Sequence, residues 1–126
     1  SCEMKNLSFF TIILLLFSSS GFSQNFKKAT SDSFNKLLVG SSISGHSTTI
    51  VFNRNGKARG AYVNKNGAQS TINGSYSFSK SKGFCWDLTA VRSDGSIANW
   101  GYKCEPLLFR GNNVVKIGNY EYKLKR

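Results

Sequence analysis

The sequence predicts an all-β protein: a small antiparallel up-and-down barrel, or a strongly curled meander sheet, of about seven or eight strands, with one short N-terminal helix and one disulfide. Three observations carry this expectation. Tight-turn dipeptides recur from Ser41 onward, two segments alternate apolar and polar residues cleanly, and two cysteines stand symmetrically about one of the turns. A two-layer sandwich is the alternative. No internal repeat or second domain is visible.

Residues 1–3 lie upstream of the natural-looking start at Met4 and are read as an artefact of the gene start. Residues 4–23 read as a signal peptide. Lys5 supplies the positive start, residues 7–17 form an apolar run broken by Ser8 and Thr11, and Gly21 and Ser23 offer the small side chains of a cleavage site. The cut is placed after Ser23, with Ser20 the second choice. The run is shorter than the roughly 20 apolar residues that cross a bilayer. No transmembrane span is therefore expected in the mature chain, and no cysteine directly follows the run to carry a lipid anchor. The expected product is exported, periplasmic or secreted, and soluble after cleavage.

Residues 24–40 read as a frayed polar lead-in and a short helix, capped by Ser31 or Asp32, striped by Phe34, Leu37 and Leu38, and ended by Gly40. Residues 41–126 form the β domain. Asn55-Gly56, Asn66-Gly67, Asp94-Gly95 and Gly118-Asn119 are tight-turn signals, because the central residues of two-residue hairpins need positive φ. In residues 70–79, Ile72, Gly74, Tyr76 and Phe78 share one face. In residues 119–125, Tyr120, Tyr122 and Leu124 do the same. Such alternation marks strands with one face buried and one wet.

A hairpin centred on Asp94-Gly95 makes Cys85 and Cys104 direct cross-strand partners, within the Cα separation that a disulfide bridges. A four-residue loop over residues 93–96 keeps the same register. A redox pair needs two cysteines one helical turn apart, and a zinc site needs more ligands than two cysteines and the lone His46. A structural staple is therefore expected, suited to an oxidising compartment. That register leaves bulky apolar groups on both faces. Either a bulge shifts the pairing partway, or one tryptophan lies on the outer surface under the helix.

The chain carries 17 Lys and Arg against 6 Asp and Glu, a net charge of +11. Removing Glu3 and Lys5 with the leader leaves that surplus unchanged. It favours anionic partners such as phospholipid or lipopolysaccharide head groups and acidic polymers. Lys57, Arg59, Lys65 and Arg92 are the candidate anion-binding rim. Catalysis is poorly supplied: His46 is the sole histidine, no carboxylates are suggestively paired, and no phosphate loop or dinucleotide fingerprint is present. No catalytic residue, cofactor or metal is expected. Nucleic acid is not an expected partner, because the strand aromatics share a face with Ile72 and Leu124 and read as core.

The succession Leu37-Leu38-Val39-Gly40, Ile43-Ser44-Gly45, Phe52-Asn53-Arg54-Asn55-Gly56, Gly74-Ser75-Tyr76, Phe84-Cys85-Trp86 and Cys104 resembles the small exported bacterial proteins of the domain of unknown function 995 type. Asn55 stands where that pattern has a hairpin Asp, and Tyr76 where it has Trp. The resemblance implies an exported, lipocalin-like small barrel and supplies no site residues.

The leading functional expectation is an exported, monomeric, non-enzymatic binding module for an apolar or anionic envelope ligand, such as a lipid. The alternative is a periplasmic or secreted inhibitor or protein-interaction module acting on a hydrolase or envelope partner, with the lead-in as its inserting piece.

Overall fold

A computed structural model describes residues 25–126. The expected upstream artefact and signal peptide lie outside the described residues. The chain forms one antiparallel sheet of ten strands, curled into a half-barrel, with one short helix. The strands are β1 (Lys27–Lys28), β2 (Ser42–Gly45), β3 (Thr48–Phe52), β4 (Lys57–Val63), β5 (Gln69–Ser79), β6 (Gly83–Arg92), β7 (Ile97–Glu105), β8 (Leu107–Arg110), β9 (Val114–Ile117) and β10 (Tyr120–Lys125). Their order across the sheet is β1-β8-β9-β10-β2-β3-β4-β5-β6-β7.

The strand count exceeds the expected seven or eight for local reasons. Pro106 has no N–H to donate, so it splits one long strand into β7 and β8. The β2–β3 hairpin turns at His46-Ser47, a pair that carries none of the usual Gly or Asn signal. The lead-in is also not frayed. Lys27 and Lys28 pair with Phe109 and Leu108, and Ala29 is buried beneath them.

The helix α1 (Ser31–Ser33) runs on as a single π turn over Phe34–Leu38. Its cap is Thr30 rather than Ser31 or Asp32. The Ser33 N–H donates to Thr30 Oγ1 (3.1 Å), and the Thr30 N–H donates to Ser33 Oγ (2.9 Å). Both orphan donors are thereby satisfied. At the other end the Arg126 guanidinium donates to the Lys36 and Val39 carbonyls, so the last residue of the chain closes the helix.

Phe34 and Leu38 point into the curl and plug one end of it. Phe34 stacks on Phe78 at 5.3 Å between ring centroids and meets Tyr76 at 5.9 Å. Phe52, Tyr76 and Phe84 continue this aromatic layer, with Ile43, Ile50, Ile72, Leu107, Val115 and Ile117 completing the core. The Tyr76 hydroxyl donates to the Asn53 carbonyl at 2.5 Å, so the one polar tip in this layer has a partner.

Two inward glycines let the sheet bend. A Cβ on Gly60 would collide with the Thr49 carbonyl oxygen, and one on Gly74 with the Asp87 carbonyl oxygen. Neighbouring backbones approach too closely at these points to admit a side chain.

The β6–β7 pair answers the question of faces. Phe84 to Leu88 pair with Glu105 to Gly101 in the expected register, and Cys85 is bonded to Cys104 with their Cα atoms 4.0 Å apart. Between Leu88 and Thr89 the register shifts by one, leaving Trp100 as the extra residue of a bulge. The turn is neither of the expected loops: Arg92 N–H donates to the Ser96 carbonyl (2.8 Å) around a three-residue loop in which Gly95 takes φ +87°.

Two outcomes test this account. Gly74→Ala should destabilise the protein by about 3 kcal/mol or more in urea unfolding, because the clash is with backbone and cannot be relieved by a rotamer. Replacing Cys85 and Cys104 together by alanine should cost about 3 kcal/mol, the loop-closure value for this spacing, with the strand content in far-ultraviolet circular dichroism retained at low temperature.

Candidate binding clefts

Two clefts flank the place where the sheet fails to close. The larger, about 670 Å³, lies between the start of the helix, the β5–β6 turn and the β7–β8 junction. Phe78, Ala29, Pro106 and Leu107 give it an apolar floor. Lys28, Lys80 and Lys82 stand around it, three cations against the one carboxylate of Glu105, with the hydroxyls of Thr30, Ser31 and Ser81 completing the lining. Its size is that of a small-molecule site, and its composition is apolar with a few convergent polar groups. Local structure explains the gathering. Lys28 is held by β1 pairing with β8, and the Ser79 side chain accepts from the Lys82 N–H (3.1 Å), which shapes the turn that carries Lys80 and Lys82. Cys104 forms part of the wall, so the disulfide braces this cleft directly.

The smaller cleft, about 200 Å³, opens at the seam between the unpaired edge of β7 and the β9–β10 hairpin. Trp86, Leu88, Trp100, Lys103 and Glu105 line one side, and Ile117, Tyr120 and Tyr122 the other. The bulge is what turns Trp100 toward this space. Burial, reinforced by the neighbouring Glu105 carboxylate and Tyr120, pushes the Tyr122 phenol above its ordinary pKa. Burial likewise raises Tyr76, with Arg54 acting in the opposite sense.

His46 borders the seam. Its ring meets Tyr120 and Tyr122 edge-on at 5.1 and 5.4 Å, and Nε2 donates to the Glu121 carbonyl at 3.0 Å. The partner is a backbone oxygen rather than a nucleophile or carboxylate. His46 and the next residue, Ser47, have φ of +53° and +59°, so this two-residue turn puts a serine, in place of the usual Gly, in the left-handed region.

The four rim residues do not converge. Lys57 and Arg59 face outward from β4 into a shallow polar groove with Asn73 and Asp87. Lys65 lies in the β4–β5 turn, past the far end of β4, and Arg92 ends β6 near Ser96. Lys28, Lys80 and Lys82, which do converge, were not singled out as a group from sequence. No pattern along the chain relates residue 28 to residues 80 and 82; only the β1–β8 and β5–β6 pairings do. No helix among the described residues is long and apolar enough to cross a membrane. No protein-family model, curated protein or solved structure matches this chain.

Two expectations follow. Replacing Ser47 by Gly should stabilise the protein by about 1 kcal/mol in thermal or urea unfolding, by removing strain at φ +59° while leaving the His46 contacts in place. Tyr76 and Tyr122 should titrate above the ordinary tyrosine value. Their folded pKa values lie above the unfolded ones, so their stabilising effect is fully present below about pH 10 and lost as pH rises through the folded values. Tyrosinate absorbance should therefore show a late component that coincides with unfolding and shrinks in Tyr76→Phe.

Proposed function

We propose that this chain is an exported, non-enzymatic β-barrel binding module, and that its basic cleft takes an envelope ligand with an apolar body and an anionic head group. The observation that carries the reading is the placing of Lys28, Lys80 and Lys82 around a floor of Phe78, Pro106 and Leu107. An apolar chain on that floor is removed from water, at about 25 cal/mol for each Å² covered. The head group then meets ammonium groups that act as point charges and accept phosphate or carboxylate without demanding one geometry. Lys57, Arg59, Lys65 and Arg92 belong in this reading to the surrounding positive field, which steers anions toward the surface. Export is supported by the leader-like residues 4–23 and by the Cys85–Cys104 bond, which suits an oxidising space.

A protein-interaction reading is favoured by a different observation. β7 is an edge strand of nine residues with Ile97 and Tyr102 well exposed, the kind of edge to which another chain can add a strand. The docked lead-in is less suited to insertion than that edge.

The test is calorimetric titration with dodecyl phosphate below its micellar range, and with dodecanol as the uncharged control, at physiological salt. The expected result is saturable binding of the phosphate that weakens tenfold or more in Lys80→Glu/Lys82→Glu, with dodecanol weaker and indifferent to the substitution. Equal affinity of wild type and variant for dodecyl phosphate would overturn the basic-cleft reading.

A further inference from the structure

The seam cleft has a chemistry unlike that of the basic cleft and calls for a different ligand. Four large aromatic side chains, Trp86, Trp100, Tyr120 and Tyr122, surround a space of about 200 Å³. The faces of such rings carry negative potential and attract cations. Glu105 adds a full negative charge on the same side. Its carboxylate is directed at the β9–β10 turn, where a Cβ on Gly118 would lie 2.6 Å from Oε1, and among the described residues no cation pairs with it. A strongly basic protein therefore keeps an unpaired carboxylate beside four partly exposed aromatic rings.

The lining narrows the kind of cation. A bare ammonium is compact and strongly hydrated and would lose its water against Leu88, Ile117 and the rings. A quaternary ammonium has a methylated, weakly hydrated surface and gains both apolar contact and cation–π attraction in such a cage. Lys103 on the β7 wall disfavours an isolated cation but provides a partner for an anionic group carried by the same ligand. The space is below the roughly 300–1,000 Å³ of sites for drug-sized molecules, which suits one head group rather than an extended ligand.

We infer that the seam cleft binds a trimethylammonium zwitterion, with the quaternary nitrogen held among Trp86, Trp100, Tyr120, Tyr122 and Glu105 and the trailing anionic group met by Lys103. The ligand is a choline-type head group, presented either on a lipid or as a free solute. The site shares Glu105 with the basic cleft, but none of its aromatic rings, nor Lys103, lines that cleft, and Lys28, Lys80 and Lys82 do not line this one.

The chain's two tryptophans both line this cleft, so intrinsic fluorescence reads it without a label. Phosphocholine is titrated against the dimethylbutyl phosphate isostere, in which carbon replaces the quaternary nitrogen. The expected result is a saturable change in emission with phosphocholine and at least tenfold weaker binding of the isostere. Glu105→Gln should weaken phosphocholine binding severalfold while circular dichroism is unchanged, and Lys103→Met should weaken phosphocholine more than choline. Lys80→Glu/Lys82→Glu should leave the phosphocholine titration as in wild type, which separates this site from the basic cleft. No saturable change, or equal affinity for phosphocholine and the isostere, would overturn the inference. Phosphatidylcholine vesicles then name the source: displacement by soluble phosphocholine supports a lipid head group, and soluble binding without vesicle binding supports a free zwitterion.

Discussion

A single sheet can bury an inner face only if it bends far enough to cover that face with itself, and this protein's structure depends on that bend. Flat strands of these lengths would leave Ile50, Ile72 and Val115 in water. The curl is possible because Gly60 and Gly74 occupy inward positions where adjacent backbones nearly touch. Once the sheet is bent, one end of it is covered by a single amphipathic turn. Phe34 and Leu38 fill it, and Arg126 ties down the carbonyls that the turn leaves open.

The disulfide matters chiefly through register. Cys85 opposes Cys104 only if the pairing between Leu88 and the turn absorbs an odd offset, and the chain does this twice. The three-residue loop removes one residue's worth of symmetry about the turn, and the bulge at Trp100 restores it before the cysteines are reached. A one-residue slip elsewhere would send every β7 side chain to the opposite face. Confined to the bulge, it redirects Trp100 so that both tryptophans face the same cleft. Cys85–Cys104 was legible in the sequence because the two offsets cancel at that distance from Asp94-Gly95. The facing of Trp100 was not, since a bulge leaves no compositional mark that separates it from ordinary strand.

The same division holds for the rest of the chain. Period-two segments such as residues 70–79 reported their buried face directly, and Ile72 and Tyr76 are buried as that pattern requires. The lead-in misled because Lys27 and Lys28 are polar, yet a backbone ladder with β8 is indifferent to side-chain polarity. His46-Ser47 misled for the converse reason: the turn takes positive φ at both residues without Gly or Asn, because the strands on either side hold it. Sites are harder still. Lys57 and Arg59 are close in sequence but only share an outward face, whereas Lys28 and Lys82 are far apart in sequence and line one cleft at the β7–β8 junction.

That contrast bears on how a chain of net charge +11 can be selective. A uniform positive surface attracts every anion, and beyond about 8 Å at physiological salt that attraction is screened. Discrimination must therefore come from places where short-range contacts differ from the average. The basic cleft differs by setting apolar floor beneath the lysines, so that a bare anion and an anionic amphiphile are no longer equivalent there. The seam differs in another way, because it gathers the Glu105 carboxylate and four aromatic side chains beside a single lysine, Lys103, in a strongly basic chain. Glu105 and Pro106 sit where β7 gives way to β8, and Glu105 lines both clefts. The residues at the β7–β8 junction thus set two unlike surfaces side by side.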